Sequence, residues 1–221
     1  VCKLVYADPA GGMILLGITG TNGKSTTSSM IYQAARAVGI RAGLIGTLAT
    51  VMDGEEVGSV RTTPEAPDLF RTIARMKNGG VKLIVMEVSS IALSEHRVNA
   101  VEFDCVGFTN LSHDHLDYHD SMVEYFSAKS QLFSQRFARS ALICTDSSWG
   151  MKLSKSIAIP FESVGNVGSP DWKITENHDG GPWLLRGPRY ETHMNSLAMS
   201  GTMNAVNAAL ALAMLDQVGI H

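Results

Sequence analysis

The chain has 221 residues, 45% of them apolar, enough to bury a sizeable core as a single domain. Its 18 basic and 21 acidic residues leave a net charge of −3 with no basic stripe, which argues against a nucleic-acid partner and makes any anion site a local one. No apolar run reaches the roughly 18 residues of a membrane span, and the scattered Cys2, Cys105 and Cys144, without a C-x-x-C pair, point to buried thiols in a reducing compartment.

No charged-then-apolar signal pattern opens the sequence. It begins on a valine and reads as a piece of a longer chain, with residues 1–12 a linker around the turn Asp8-Pro9-Ala10-Gly11-Gly12 and residues 13–221 the domain proper. Residues 13–18 are a short apolar run that predicts a buried strand, and a helix starts at Ser25 or just after. Between them, glycine frees backbone N–H groups to point inward and the helix dipole adds partial positive charge, which makes an anion cradle. Lys24 supplies a full charge for the outer phosphates and Ser25 a hydroxyl for Mg²⁺. The strict G-x-x-x-x-G-K-[ST] spacing is not met, because Ile18 stands where the first glycine belongs, between Gly17 and Gly20. An ordinary strand-to-helix turn containing Gly-Lys is the competing reading.

Met30, Ile31, Ala34, Ala35 and Val38 recur at helical spacing before Gly39, and residues 42–46 give a second strand. Residues 47–61 alternate weakly around Asp53-Gly54, as a small hairpin does. Thr62-Thr63-Pro64 opens a helix to about residue 78, with Leu69, Ile73 and Met76 as its stripe and Gly79-Gly80 as its stop. VKLIVMEV, residues 81–88, is a central parallel strand covered on both faces. It ends in Glu87, at the sheet edge where open α/β folds bind ligands. A further strand at 103–108 leads into LSHDHLDYHD, then a helix at 122–133 and a strand at 141–144. Shorter strands and turns between 157 and 197 predict a small, partly antiparallel appendage, and an Ala-rich helix at 201–218 closes the chain. The fold expected is α/β: a P-loop-type, mostly parallel sheet flanked by helices, with that appendage.

Several side chains have two readings. Glu87 is either a Walker-B-type acid for Mg²⁺ or a solvated strand-end carboxylate. His113, Asp114, His115, Asp117 and His119 invite a metal, yet without a cysteine or a distant third ligand some of them cap the next helix and brace the loop. Taken alone, Lys129 is an ordinary helix lysine. Thr62-Thr63 and Ser89-Ser90 either cap helices or bind substrate. Arg97 either clamps a carboxylate or phosphate, or pairs with a neighbouring acid. Asn204 and Asn207, three residues apart on one helix face, can match a purine edge or cap the helix.

GITGTNGKSTT, TTPEAPDL, VMEVSSIALSEHRV and FDCVGFTNLSHDHLDYHDSMVEYFSAKSQLF occur in an order that resembles the central, ATP-binding domain of the Mur ligase family, and within it the MurE-like branch. The resemblance runs from about residue 4 to 219. GTNGK[ST] alone is shared with folylpolyglutamate and cyanophycin synthetases; MEVSS with FTNLS-x-DHLDYH and YF-x-AK is more specific. It implies an ATP-dependent ligase joining a carboxylate to an amine through an acyl phosphate, adding an amino acid to UDP-MurNAc-L-Ala-D-Glu in cytoplasmic peptidoglycan synthesis. By motif, it implies that Gly20, Thr21, Asn22, Gly23, Lys24, Ser25 and Thr26 hold ATP phosphates, with Asn204 and Asn207 near adenine. Ser25, Glu87 and His115 would hold Mg²⁺. Lys129 would be carbamylated by CO₂ and, with Lys24, Glu87 and His115, serve catalysis. Thr62, Thr63, Ser89 and Arg97 would bind the UDP-muramyl peptide. No nucleic-acid or membrane partner is implied.

The family usually reads SSH after the glutamate, whereas this chain has Ser89-Ser90-Ile91. The family's N-terminal uridine-binding and C-terminal amino-acid-recruiting domains lie outside these motifs, so this piece alone is expected to be inactive. The rivals are a folylpolyglutamate- or cyanophycin-type ligase and a non-catalytic scaffold subunit, for instance in a plastid stroma. Ile91 is the hint toward the scaffold; the intact Lys24, Glu87, His115 and Lys129 speak against it.

Overall fold

A computed structural model describes residues 9–52, 54–58, 61–114, 118–176, 182–194 and 201–221. His115 and Asp117, Cys2 and most of the expected linker lie outside the described residues.

The chain builds β1 (Ile14–Thr19), α1 (Lys24–Ala37), β2 (Ala42–Ile45), β3 (Ala49–Met52), β4 (Glu55–Gly58), α2 (Ala66–Asn78), β5 (Leu83–Glu87), α3 (Ser90–Ser94) and β6 (Phe103–Phe108). Then follow α4 (Met122–Ser130), β7 (Ala138–Cys144), α5 (Ser148–Ser154), β8 (Phe161–Gly165), β9 (Trp172–Thr175), β10 (Trp183–Arg186), β11 (Glu191–Met194) and α6 (Thr202–Gln217). Among the described residues the strands form one sheet of eleven in the order β11-β10-β9-β8-β7-β6-β1-β5-β2-β3-β4. Neighbours from β9 to β2 are parallel, and β3–β4 and β10–β11 finish the two ends antiparallel.

Strands buried on both faces divide their side chains between two cores. Leu16, Ile18, Leu83, Val85 and Leu142 point to the side covered by α1 and α6; Leu15, Ile84, Met86, Ala141 and Ile143 point to the side covered by α2 to α5. The helix leaving β1 and the helix leaving β6 therefore cover opposite faces. Between these two adjacent strands the sheet has its topological switch point, where such folds open a crevice at the strands' carboxyl ends.

Several boundaries differ from the expected ones. The helix expected from residues 62–64 starts at Ala66, because the Thr63 hydroxyl donates to the Glu87 carbonyl (2.9 Å) and accepts from Ser89 N–H (3.1 Å), which holds the threonines extended against β5. The helix expected to reach residue 133 ends at Ser130 and continues as tighter turns, Leu132 N–H to Lys129 C=O and Phe133 N–H to Ser130 C=O. β7 begins at Ala138 rather than at 141, since Ala138 and Ser140 still have partners in Phe103 and Cys105. Two short helices, α3 and α5, were not expected; Ser89 and Ser147 cap them. The appendage extends the main sheet rather than standing apart. Cys105 and Cys144 are free and buried, as expected.

Candidate functional site

β1 delivers its last residue, Thr19, to the switch point, and the chain turns through Gly20 and Gly23 before α1 begins. Both glycines have positive φ, 148° and 86°. A Cβ on Gly20 would collide with the Thr109 hydroxyl, and one on Gly23 would lie 2.5 Å from Asn207 Oδ1. Glycine lets the loop lie flat against β6 on one side and α6 on the other.

The loop is braced by the segment after β6. Thr21 N–H donates to the Asn110 carbonyl (2.9 Å), Asn22 N–H to Asn110 Oδ1 (3.0 Å), and Thr109 Oγ1 to the Asn22 carbonyl (2.6 Å). Ser112 N–H donates to Thr21 Oγ1 (3.0 Å), which lies 3.2 Å from the Tyr125 hydroxyl. These braces were not singled out from sequence. Thr109-Asn110 directly follows the expected strand at 103–108, and that place at a strand's carboxyl end is the one signal for it in the sequence.

Lys24 Nζ donates to the carbonyls of Gly20 (2.9 Å) and Thr21 (2.8 Å). Lys129 Nζ, with its residue 1% exposed, donates to the same Gly20 carbonyl at 2.9 Å and sits 4.5 Å from the Tyr125 ring centroid. Burial pushes the Lys24 ammonium below the ordinary lysine range, and the negative charges of Glu87 and Asp114 partly restore it. Lys129 is pushed well below that range, chiefly by burial and then by the nearby Lys24 charge, with Asp114 opposing. Lys129 is thus a buried member of the loop's own environment and not a solvated lysine.

Glu87 ends β5 beside Ile18 of β1. Its carboxylate is buried and accepts from Thr47 N–H (3.1 Å) and Thr47 Oγ1 (2.8 Å), and the Thr47 hydroxyl also meets Thr62 Oγ1 at 3.0 Å. This is not the solvated carboxylate of the bland reading; Thr47 aims it, a role the sequence did not signal. Ser25 and Thr26 lie half-buried in the first turn of α1.

The expected substrate residues lie on two segments brought together, Thr62-Thr63 before α2 and Ser89 to Arg97 after β5. Ser89 caps α3 by accepting from Ala92 N–H (3.1 Å). Arg97, 7% exposed, donates to the Thr63 carbonyl (3.1 Å), pairs with Glu65 (3.2 Å) and bonds Glu95. Here it follows the neighbouring-acid reading and braces the Thr62-Thr63 segment. Asn207 is buried against Gly23 and Asn204 is half-buried one turn earlier. His113 and Asp114 are exposed, His119 is 1% exposed, and no group of three or more metal-ligating side chains occurs among the described residues.

An open, mostly parallel α/β domain with a glycine cradle at its switch point, two lysines on that cradle and an acid on the adjacent strand defines the class. The chain belongs to the Mur ligase family, whose middle domain matches residues 18–215. It is 42% identical over 224 residues to the UDP-N-acetylmuramoyl-L-alanyl-D-glutamate--2,6-diaminopimelate ligase of Corynebacterium glutamicum, covering 98% of this chain and 43% of that protein. It therefore spans less than half the length of that curated relative. A solved structure of a UDP-N-acetylmuramoyl-L-alanyl-D-glutamate--2,6-diaminopimelate ligase superposes with a TM-score of 0.84 at 24% identity, over 99% of this chain and 46% of the other. The MurF ligase of Thermotoga maritima, solved in complex with ADP, superposes with a TM-score of 0.73 at 14% identity, over 100% and 49%.

Proposed function

We propose that the chain is the central, ATP-binding domain of a cytoplasmic ligase that joins an amino acid to UDP-MurNAc-L-Ala-D-Glu in peptidoglycan synthesis. The observation that carries this reading is the meeting of Lys24 and Lys129 on one carbonyl oxygen, that of Gly20. Two charges so close would repel, and burial sharpens the repulsion, so Lys129 is held toward the neutral amine and Lys24 remains the cation of the cradle. A polyphosphate seated on the loop N–H groups answers the Lys24 charge. The substrate class comes from the C. glutamicum relative, whose name specifies a diaminopimelate acceptor step.

In this reading the peptide carboxylate attacks the γ-phosphorus, giving an acyl phosphate and ADP. The amine then attacks the acyl carbon and phosphate leaves. The chain's part is to place groups and neutralise charge. Lys24 and the backbone of Gly20, Thr21, Asn22, Gly23, Ser25 and Thr26 take the phosphates, and Asn204 and Asn207 take the adenine end. Thr62, Thr63 and Ser89 face the muramyl peptide, and Arg97 holds their segment in place. The donor set suits Mg²⁺: the Ser25 hydroxyl and the Thr47-aimed Glu87 carboxylate are hard oxygen ligands, and the motif resemblance adds His115 to them. A divalent ion held there would neutralise phosphoryl charge. The lowered pKa of Lys129 favours the free amine, the form that adds CO₂ to become a carbamate and release a proton.

Calorimetry of Mg·ATP on the full-length protein is expected to show binding that Lys24→Ala weakens tenfold or more, about 1.4 kcal/mol. Turnover with UDP-muramyl dipeptide and not with folate, lost in Lys129→Ala, is the companion result. Turnover of folate alone would overturn the substrate assignment. Absence of any turnover in the intact protein would favour the scaffold.

A further inference from the structure

The histidines of LSHDHLDYHD do not share one environment. His113 is exposed, whereas His119 is 1% exposed with Nε2 2.9 Å from the Oγ of Ser90, itself fully buried. One face of the His119 ring stacks on Tyr125 (centroids 5.1 Å apart, 29° between planes), and Tyr118 meets it edge-on at 5.0 Å. Tyr125 in turn reaches the phosphate loop through its hydroxyl, 3.2 Å from Thr21 Oγ1, and lies 4.5 Å from Lys129 Nζ through its ring.

We propose that His119 is a positioning residue that ties the loop after β5 to the glycine loop after β1 through Tyr125. The contacts run Ser90–His119–Tyr125–Thr21, with a branch to Lys129, and each link is buried or half-buried. Ser90 directly follows Ser89, whose N–H is held by Thr63, so the chain of contacts joins the two loops assigned above to substrate and nucleotide. Packing alone does not require this pair. A phenylalanine at 119 and an alanine at 90 would fill similar volume without the desolvation that a buried imidazole and hydroxyl incur. What the polar pair adds is direction. The Ser90 bond fixes the rotation of the imidazole, the imidazole fixes the plane of the Tyr125 ring, and that ring sets both the Thr21 bond and the seat of the Lys129 ammonium.

The test uses the full-length protein and reads amide exchange without ligand, then Mg·ADP affinity; only the second arm rests on the function proposed above. His119→Leu keeps apolar volume but removes stack and bond. It is expected to speed exchange at the Thr21 and Ser112 amides about tenfold while β5 amides such as Val85 change less than twofold. His119→Phe, which returns the stack without the Ser90 bond, is expected to recover only part of that protection, leaving exchange about threefold faster than in the parent. The Mg·ADP dissociation constant should rise in the same order of variants, and Tyr125→Phe should add little to His119→Leu because both act through one chain of contacts. Unchanged exchange at Thr21 and Ser112, or uniform acceleration through β5, would overturn the proposal and leave His119 as a packing residue. If His119→Leu does not fold, Ser90→Ala decides in the same way, with about threefold faster exchange expected at the same two amides. Selective acceleration in a protein that binds no Mg·ADP would keep the positioning role and sink the nucleotide reading.

Discussion

Lys129 is the residue whose setting departs furthest from what its own sequence window suggests. It occupies the last turn of α4, where a cation suits the helix dipole, yet its ammonium is turned inward onto the Gly20 carbonyl. Its folded-state pKa lies well below the ordinary value of 10.5. Between those two values the folded chain binds fewer protons than the unfolded one, so stability rises with pH through that window, and the penalty is complete below it. Lys129→Met is therefore expected to be more stable than the parent at neutral pH, by roughly 2 kcal/mol, with the gap closing toward about pH 10. Denaturant midpoints across that range measure it. Added bicarbonate should narrow the gap at neutral pH if the amine takes up CO₂. Lys24, by contrast, was legible at once, because its place at the start of α1 follows from strand, glycine turn and helix in sequence order.

At the scale of elements, α4 matters because it carries both Tyr125 and Lys129. It is nine residues long, too short to hold itself without its cap. Ser121 Oγ accepts from Glu124 N–H (3.2 Å), and Glu124 Oε2 accepts from Asp120 N–H (2.8 Å), a reciprocal pairing close to a capping box. Ser121→Ala is expected to cost about 1 kcal/mol of stability and to weaken Mg·ATP binding severalfold by loosening the turn that presents Lys129. Equilibrium unfolding and calorimetry on the same variant check both. Strands and long helices were readable from apolar runs and helical stripes. The start of α2 was not, because Thr62 and Thr63 are held extended by bonds to Thr47, Glu87 and Ser89, residues brought beside them by sheet pairing. Arg97 is half legible: its pairing with the neighbouring acid Glu95 was open to sequence, whereas its partners Glu65 and the Thr63 carbonyl lie more than thirty residues away.

Across the whole molecule, the outer strands are locked to the last helix by one cluster. Arg189, before β11, bonds the fully buried Asp216 of α6 and forks onto both oxygens of Glu162 on β8 (2.8 Å each). Glu162 also accepts from Trp172 Nε1 at 2.6 Å, and the Arg189 guanidinium lies 5.5 Å from the centre of that indole. The Arg189 bond, opposed by burial, holds the Glu162 carboxyl below the usual carboxylate range. Arg189→Ala is expected to destabilise the chain by about 2 kcal/mol, toward the low side for a buried pair because the arginine is partly exposed. For a carboxyl with a lowered folded pKa, the contribution stands above its ordinary pKa and fades as pH falls through the lowered one. The difference between variant and parent should thus be full near neutral pH and shrink in acid. Thermal unfolding at both ends of the range reads it.

The sequence by itself determined the order of the main strands and the long helices, the glycine loop after β1, Glu87 at the end of β5 and the family, because periodicity, turn chemistry and motif spacing are local and survive without neighbours. Only the tertiary structure decided what meets across that loop. The parallel pairing of β6 with β1 puts Asn110 and Ser112 against Thr21, and the packing of α4 buries Lys129 beside Lys24. Those contacts join residues about ninety to one hundred and ten positions apart, and no window of sequence contains both partners.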